Sequence, residues 1–220
     1  MKLSELIKNT GIVSVAGSTD IDITFATNDS RKVVPGTVFV AVNGCGNDGR
    51  SFIPAAIAAG AAAVVHEGEP SCSGEATEVI VENSRYAAAI IADAFYGHPS
   101  RDLKLVGITG TNGKTTTVTL LYNMFRKLGY GCGLLSTIAN YVGEERMETA
   151  NTTSDPFTIN SLMARMVEAG CEYCFMEVSS IGVEQDRVSG LDFNVGIFSN
   201  LTHDHLDYHG TMARYIEAKK

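Results

Sequence analysis

The chain has 220 residues, of which 45% are hydrophobic and 19% charged, and a formal net charge of -8. This length allows one large or two small globular domains, and the negative charge disfavours a general nucleic-acid or anionic-membrane surface. The start of the chain does not resemble a signal peptide, and the most apolar run (55–65) is too short to span a bilayer. The five cysteines have no framework spacing, so we expect a cytoplasmic protein without nucleic-acid partners or membrane insertion.

The first hundred residues alternate short apolar runs with helical patterns. They predict strands at 38–42, 62–66 and 79–82, and helices at 51–59 and 84–96. Ser84 is the predicted N-cap of the second helix. The stretch Gly97-His98-Pro99-Ser100 is typical of a linker, so we predict one domain over 1–100 and another over 101–220.

A second series of strands and helices follows this boundary. Its predicted strands are 105–108, 133–137, 173–178 and 194–199, and its predicted helices are 114–128, 157–169 and a last one from about Thr211. Strands that alternate with helices favour a mostly parallel, doubly wound α/β sheet. The last helix is predicted to be still running at Lys220, so we expect this domain to be truncated.

The segment 105–116 carries the clearest functional signal. An apolar strand leads into a loop with Gly110 and Gly113, and Lys114 and Thr115 begin a helix. Glycines let backbone N–H groups turn toward phosphate oxygens, and a helix N-terminus adds the positive end of its dipole. Lys114 suits the outer phosphates, and the hydroxyl of Thr115 suits Mg²⁺.

The match to the phosphate-loop pattern Gly-x-x-x-x-Gly-Lys-Thr is imperfect. Ile108 occupies the first glycine position, and Gly110 serves instead. A plain glycine turn with an exposed lysine is the alternative, but the strand before and the helix after favour phosphate binding. We therefore predict that the nucleotide is held by Gly110, Thr111, Asn112, Gly113, Lys114, Thr115 and Thr116.

Polar residues also follow two other predicted strands. Glu177 lies within or at the end of an apolar strand, and His205 lies in a polar run after the strand 194–199. A buried carboxylate is costly unless it is paired or binds a cation. Ligands of doubly wound sheets bind beyond the carboxyl ends of the strands, so Lys114, Glu177 and His205 are predicted to converge on one metal-nucleotide site.

Three alternatives remain open for these residues. Glu177 could form an internal salt bridge, and the histidines could be a solvated turn. The run beginning at His203 also starts like the metal motif of metallo-β-lactamase-type hydrolases, although Tyr208 displaces His209 by one position. Separately, the Cys-x-x-Cys stretch 171–174 has no second pair for zinc, which favours buried structural thiols.

Six stretches together resemble the Mur ligase superfamily, in family order from about residue 25 to the end of the chain. They are Asp29-Ser30-Arg31, the loop 109–116, Asn151-Thr152-Thr153, Met176-Glu177-Val178-Ser179-Ser180, Gln185-Asp186-Arg187-Val188 and the stretch 204–211. The last stretch, Asp-His-Leu-Asp-Tyr-His-Gly-Thr, resembles the branch that adds a diamino acid to a peptidoglycan precursor.

The resemblance implies a fold, a reaction and its ligands. Residues up to about 100 would form a small α/β domain for the uridine end of the substrate, and the rest most of an ATP-binding central domain. The implied reaction phosphorylates the D-glutamate carboxylate of UDP-N-acetylmuramoyl-L-alanyl-D-glutamate with ATP. The amine of meso-diaminopimelate or L-lysine then attacks the acyl phosphate. Mg²⁺ and Lys114 would offset the repulsion between the two anions.

The resemblance also assigns individual residues. Glu177 and His205 would bind Mg²⁺ with Thr115, and Lys219 matches a family lysine that is carbamylated and serves a second metal. An exposed helix lysine is the alternative for Lys219. Lys114, Glu177, His205 and Lys219 form the implied catalytic set. The implied substrate contacts are Ser30, Asn151, Thr152, Thr153, Ser179, Gln185 and Arg187.

Two positions depart from the family pattern, and two other functions remain possible. Ile181 stands where histidine is usual, and Ser154 stands where proline is common. The alternatives are a non-catalytic nucleotide-binding module and another Mur-type ligase, such as the one that adds the terminal dipeptide. Because the incoming amino acid would bind to a C-terminal domain, we expect the 220-residue chain alone not to form the amide.

Overall fold

The structure is a computed structural model that describes residues 1–44, 48–71, 74–203 and 206–219, with the backbone alone at 206 and 207. It divides into two compact units, Met1–Phe95 and Tyr96–Lys220. Across the described ranges, no helix combines the length and the apolar character needed to cross a bilayer.

The first unit is built on a five-stranded sheet with the order β1-β5-β4-β3-β2. All neighbours are parallel except β1, which runs antiparallel to β5. The strands are β1 (Ile12–Ala16), β2 (Phe25–Thr27), β3 (Thr37–Val40), β4 (Ala61–His66) and β5 (Thr77–Val81). The helices are α1 (Leu3–Leu6), α2 (Ile53–Ala58) and α3 (Ser84–Phe95), with 3₁₀ turns at Ser30–Lys32 and Gly49–Phe52.

The core of the first unit follows from the alternation of side chains along its strands. Phe39 and Val64 pack with Ile53 of α2, while the neighbouring Val38 and Val65, which are also buried, point to the other face. Because both faces of these parallel strands are buried, β3 and β4 have nearly continuous apolar sequences.

The second unit contains a six-stranded sheet with the order β11-β6-β10-β7-β8-β9. Strands β11, β6, β10 and β7 are parallel, and β8 and β9 extend the sheet as an antiparallel hairpin. The strands are β6 (Lys104–Thr109), β7 (Cys132–Leu135), β8 (Asn140–Val142), β9 (Glu145–Met147), β10 (Tyr173–Glu177) and β11 (Val195–Phe198). The helices are α4 (Lys114–Lys127), α5 (Pro156–Glu168), α6 (Ser180–Glu184), α7 (Leu206–His209) and α8 (Met212–Glu217), after a 3₁₀ turn at Pro99–Arg101.

Helices cover both faces of this second sheet. On one face, Val118 and Tyr122 of α4 pack with Phe175. On the other face, Met163 of α5 packs with Met176, the next residue along β10. The predicted α/β class with mostly parallel sheets is confirmed, and the parallel strands β6, β7, β10 and β11 bring their carboxyl ends to one edge.

Several local predictions need correction. The N-cap of α3 is Asn83, whose Oδ1 accepts from the N–H groups of Arg85 and Tyr86, whereas Ser84 is the first helical residue. The last helix does not run to the end of the chain, because α8 ends at Glu217. The patterns also missed β1 and the β8–β9 hairpin, whose strands are short or exposed and show no clear alternation.

Candidate functional site

The predicted phosphate loop lies between β6 and α4. Gly113 is the N-cap of α4 with a φ of 85°, and Gly110 has a φ of 142°, both in the region that favours glycine. A Cβ on Gly110 would clash with Ser199 Oγ and lie 3.0 Å from the backbone carbonyl oxygen of Asn200, so glycine allows the segment after β11 to approach the loop closely. The first turn of α4, with Thr115 and the exposed Thr116, leaves backbone N–H groups without intrahelical acceptors.

The segment after β11 holds the first half of the loop in place. Asn200 accepts from the backbone N–H groups of Thr111 and Asn112, through its own carbonyl oxygen at 2.9 Å and its side-chain oxygen at 3.0 Å. Asn200 Nδ2 and Ser199 Oγ both donate to the carbonyl oxygen of Asn112, at 2.9 and 2.8 Å. The chain's own hydrogen bonds therefore preorganise the loop.

Two lysines reach the same carbonyl oxygen of this loop. Lys114 Nζ donates to the carbonyl oxygens of Gly110 and Thr111 at 2.8 and 2.9 Å. Lys219 Nζ donates to the carbonyl oxygen of Gly110 at 3.1 Å. Two ammonium groups around one carbonyl create a local positive potential suited to a polyanion, although the chain is acidic overall.

Residues near the end of the described chain complete this arrangement. Lys219 is only 8% exposed, so the alternative of an exposed helix lysine is wrong. Its Nζ lies 4.9 Å from the ring centroid of Tyr215. Tyr215 is fully buried, and its hydroxyl lies 2.9 Å from Thr111 Oγ1. Tyr215 was not among the predicted site residues, because nothing in the local sequence connects it to the loop.

Glu177 ends β10 and is fully buried. Its Oε2 accepts from the hydroxyls of Thr115 and Thr137 at 3.0 and 3.1 Å, and its Oε1 accepts from the backbone N–H of Thr137 at 2.9 Å. Within the described ranges every donor to this carboxylate is neutral, so no salt bridge explains its burial there. Glu177 thus contacts Thr115, the residue after Lys114, while the predicted convergence of Lys114, Glu177 and His205 stays a prediction, because His205 lies outside the described residues.

Thr137 was missed as a site residue. The sequence placed it at the end of a strand over 133–137, whereas β7 ends at Leu135 and Thr137 lies beyond it. A signal was present, since Ser136 and Thr137 are polar residues directly after a buried strand. Such positions at the carboxyl edge of a parallel sheet are where ligands bind.

Four predicted substrate residues form one hydrogen-bonded group that contacts the backbone of Glu177. Thr153 Oγ1 donates to the carbonyl oxygen of Glu177 and accepts from the backbone N–H of Ser179, both at 3.0 Å. Arg187 Nη1 donates to the carbonyl oxygen of Thr153 at 2.6 Å, and its Nη2 donates to Gln185 Oε1 at 2.7 Å. These contacts join Thr153 to two segments, 177–179 and 185–187, across separations of 24 to 34 residues.

The remaining predicted contacts are more dispersed. Thr152 Oγ1 lies 3.1 Å from Thr137 Oγ1, and Asn151 is exposed, with its carbonyl oxygen accepting from Thr149. Ser30 belongs to the first unit, where it is half-buried in a 3₁₀ turn capped by Asp29. The guanidinium of Arg31 donates to Asp29 and lowers the pKa of that carboxyl to about 2.

The histidines do not form the hydrolase arrangement in the described part of the chain. His209 is buried, with Nε2 2.9 Å from Ser180 Oγ and Nδ1 2.8 Å from Glu184 Oε2, so it joins α7 to α6. His203 is exposed. Over the described ranges, no three histidine, cysteine or acidic side chains are grouped to hold a metal ion.

The thiols of Cys171 and Cys174 are buried, as predicted for structural cysteines. Burial raises the pKa of both thiols, and it raises the pKa of Cys132 to about 11. A thiol with a raised pKa is a poor nucleophile and a poor metal ligand at neutral pH.

The arrangement at this edge fits a nucleotide with a divalent cation. Mg²⁺ prefers oxygen ligands and often takes one or two carboxylates beside phosphate oxygens. The hydroxyl of Thr115 and the carboxylate of Glu177 are adjacent oxygen donors at the base of the phosphate loop. Within the described residues the donors to Glu177 are neutral, so a cation bound here would offset the cost of burying this carboxylate.

Comparison with known proteins identifies relatives over both units. Residues 108–220 match the family model of the Mur ligase middle domain, and residues 22–96 match that of the Mur ligase family, catalytic domain. The chain is 52% identical to the UDP-N-acetylmuramoyl-L-alanyl-D-glutamate–2,6-diaminopimelate ligase of Parabacteroides distasonis and 41% identical to that of Clostridium perfringens. Both matches cover 100% of this chain but 46% and 45% of the relatives, so the chain spans about half their length.

Solved structures give the same picture. A structure of a UDP-N-acetylmuramoyl-L-alanyl-D-glutamate–2,6-diaminopimelate ligase matches with a TM-score of 0.81 and 27% identity, over 100% of this chain and 44% of that one. The MurF ligase of Thermotoga maritima in complex with ADP matches with a TM-score of 0.60 and 26% identity, over 88% of this chain and 41% of that one.

Proposed function

The chain belongs to the Mur ligase family, and from that premise we propose that it is part of an ATP-dependent ligase of peptidoglycan precursor synthesis. The whole protein adds a diamino acid to UDP-N-acetylmuramoyl-L-alanyl-D-glutamate through an acyl phosphate. The contact between Thr115 and Glu177 beside the phosphate loop carries the proposal, because it joins a carboxylate to the site where ATP would bind.

The phosphate loop supplies the ATP site. Its glycines and the first turn of α4 direct backbone N–H groups toward phosphate oxygens, and the helix dipole adds partial positive charge. Lys114 reaches this loop from the first position of α4, and Lys219 reaches it from the segment after α8. Charges already in place stabilise the phosphoryl group during transfer without reorganisation.

Mg²⁺ would be held by Thr115 and Glu177, with His205 and Lys219 as further candidates by resemblance. When bound, it supplies positive charge that offsets the repulsion between the ATP phosphates and the D-glutamate carboxylate. The chain contributes orientation, since Glu177 is fixed by hydrogen bonds on both oxygens.

The group around Thr153 is the proposed site for the peptide end of the substrate. Arg187 is half-buried and places a guanidinium beside Gln185 and Thr153, and Ser179 caps α6 next to them. A guanidinium suits the carboxylates and phosphates of such a substrate. Ser30 is the proposed contact at its uridine end, in the first unit.

We propose 2,6-diaminopimelate as the added amino acid, because it appears in the names of relatives at 52% and 41% identity. L-Lysine is the alternative. The higher TM-score of the diaminopimelate ligase, 0.81 against 0.60 for MurF, supports the diamino-acid branch over the ligase of the terminal dipeptide. A non-catalytic nucleotide-binding module is a further alternative, disfavoured by the buried carboxylate beside the loop.

The test is calorimetric titration of UDP-N-acetylmuramoyl-L-alanyl-D-glutamate into the chain. We expect saturable binding that Arg187→Ala weakens about tenfold, the loss expected for a hydrogen bond from a charged group, and that Ser30→Ala weakens about fivefold, the loss expected for a neutral one. Ser14→Ala and Arg146→Ala remove the same side-chain types from exposed strand positions and should leave the affinity unchanged. Absence of binding by the folded wild-type chain contradicts the proposed substrate.

A further inference from the structure

Thr137 holds both oxygens of the Glu177 carboxylate. Its backbone N–H donates to Oε1 at 2.9 Å, and its hydroxyl donates to Oε2 at 3.1 Å. The terminal torsion of a glutamate is broad, so a carboxylate usually rotates with little resistance. Two bonds from one residue to two different oxygens remove that freedom and fix the plane of the group.

The hydroxyl of Thr137 has two acceptors within hydrogen-bond distance. Thr137 Oγ1 also lies 3.1 Å from Thr152 Oγ1, yet a hydroxyl has one hydrogen to donate. That hydrogen is shared between Glu177 Oε2 and Thr152 Oγ1, which both accept from the Thr137 hydroxyl. Thr137 therefore stands between the carboxylate and the segment 151–153.

The turn that carries Thr137 is itself held firmly. Ser136 Oγ donates to the carbonyl oxygen of Ala139 at 2.8 Å, and the backbone N–H of Ser136 donates to Asn140 Oδ1 at 3.2 Å. Ser136 and Asn140 are buried, whereas Thr137 is exposed. The position of Thr137 is thus set by its neighbours, and a change of its side chain leaves the core intact.

We propose that Thr137 is a positioning residue that orients Glu177 for a divalent cation bound with ATP. This rests on the proposed function, because it needs the cation site at Thr115 and Glu177. Mg²⁺ demands near-ideal ligand geometry, so a carboxylate free to rotate binds it less well. Partners that orient a metal ligand typically contribute tenfold to a hundredfold to metal affinity.

The experiment measures ATP binding to the 220-residue chain by calorimetry, in EDTA and over a series of MgCl₂ concentrations. Thr137→Val keeps the shape and the backbone N–H but removes the hydroxyl, and Thr137→Ser restores a hydroxyl. Thr158→Val is the matched control, because Thr158 Oγ1 donates to a carboxylate oxygen of Asp155 at the start of α5, away from the loop.

We expect Thr137→Val to raise the Mg²⁺ concentration for half-maximal ATP binding about tenfold, with affinity in EDTA within about twofold of wild type. Thr137→Ser should recover the wild-type response, and Thr158→Val should not differ from it. A wild-type response in Thr137→Val, an equal loss in EDTA, or no recovery in Thr137→Ser overturns the proposal. ATP binding by the wild-type chain that ignores Mg²⁺ overturns the cation site as well, whereas failure to bind the UDP-linked substrate overturns only the proposed substrate.

Discussion

Two buried glutamates, Glu78 in the first unit and Glu177 in the second, lie in strands but among different partners. Glu78 Oε1 lies 2.8 Å from Nε2 of His66, a fully buried imidazole whose Nδ1 is 2.8 Å from the carbonyl oxygen of Glu67. Its Oε1 also accepts from the backbone N–H of Ser71. The donors to Glu177 in the described part of the chain are threonine hydroxyls and a backbone N–H.

The difference separates a carboxylate that is paired within the fold from one that we propose as a cation ligand. An imidazole can carry the proton that compensates a buried carboxylate, so the pair of His66 and Glu78 is complete within the fold. Within the described residues, the donors to Glu177 are neutral, so they orient the carboxylate without pairing its charge, and the proposed cation would offset the cost of burial. Burial alone therefore does not indicate a ligand site, whereas burial with neutral partners supports the one proposed at Glu177.

The largest expected effect comes from breaking the pair in the first unit. Glu78→Ala should lower the free energy of unfolding by about 3 kcal/mol, because it leaves the buried His66 without its partner. Urea denaturation followed by far-UV circular dichroism measures this change. Glu145→Ala, which removes an exposed glutamate paired with Arg165, serves as the control and should cost less than about 1 kcal/mol.

If Glu78→Ala were as mild as its control, the pair would not be the structural counterpart of Glu177. ATP binding in Glu78→Ala should remain at the wild-type level under conditions where the chain is folded. A selective loss of ATP binding there would assign Glu78 to function and remove the contrast.

The next effect tests Glu177 itself. Glu177→Gln keeps the shape and the acceptor oxygen for Thr137 but removes the charge, so the free energy of unfolding should change by less than about 1 kcal/mol. The Mg²⁺ concentration needed for half-maximal ATP binding should rise about a hundredfold or more. Losing a residue that orients a metal ligand costs up to about a hundredfold, and Glu177 is the proposed ligand itself. Calorimetric titration of ATP over a series of Mg²⁺ concentrations measures this response in the variant and in the wild-type chain. Strong destabilisation with an unchanged Mg²⁺ response would make Glu177 a structural residue like Glu78.

The smallest effect concerns the ion pair between Asp29 and the exposed Arg31. Hydrogen bonds from Arg31 hold the pKa of Asp29 at about 2, below its ordinary value of 3.8. A carboxyl whose pKa is lowered on folding stabilises the fold at a pH above its unfolded-state pKa. This stabilisation is lost as the pH falls toward 2. Because Arg31 is exposed, we expect Asp29→Asn to cost about 0.5 kcal/mol at pH 7 and almost nothing at pH 2.

Acid titration of the unfolding free energy from pH 5 to pH 2 checks this last prediction. The substitution keeps an acceptor for the backbone N–H of Arg31, so the cap of the 3₁₀ turn remains. Lys2→Met, which removes another exposed cation that pairs with carboxylates, is a control at a distant position. A pH-independent cost in Asp29→Asn would mean that the cap, and not the charge pair, stabilises the turn.

The strand, loop and helix around Lys114 could be predicted because their signals are local. An apolar run, two glycines and a helical pattern lie within a dozen residues. The pairing of Thr137 with Glu177 could not be predicted, because it joins residues 40 positions apart through the adjacency of β7 and β10. The β8–β9 hairpin escaped because three residues are too few to show an alternating pattern.

The hydrogen bonds between the phosphate loop and residues far along the chain have a consequence for synthesis of the chain. Thr111 bonds to Tyr215 and Gly110 to Lys219, across separations of 104 and 109 residues. Contacts this remote in sequence form late and slow folding. A chain emerging from the ribosome should therefore acquire a complete nucleotide site only after residue 219 has left the exit tunnel, whereas the first unit can fold while the second is still being translated.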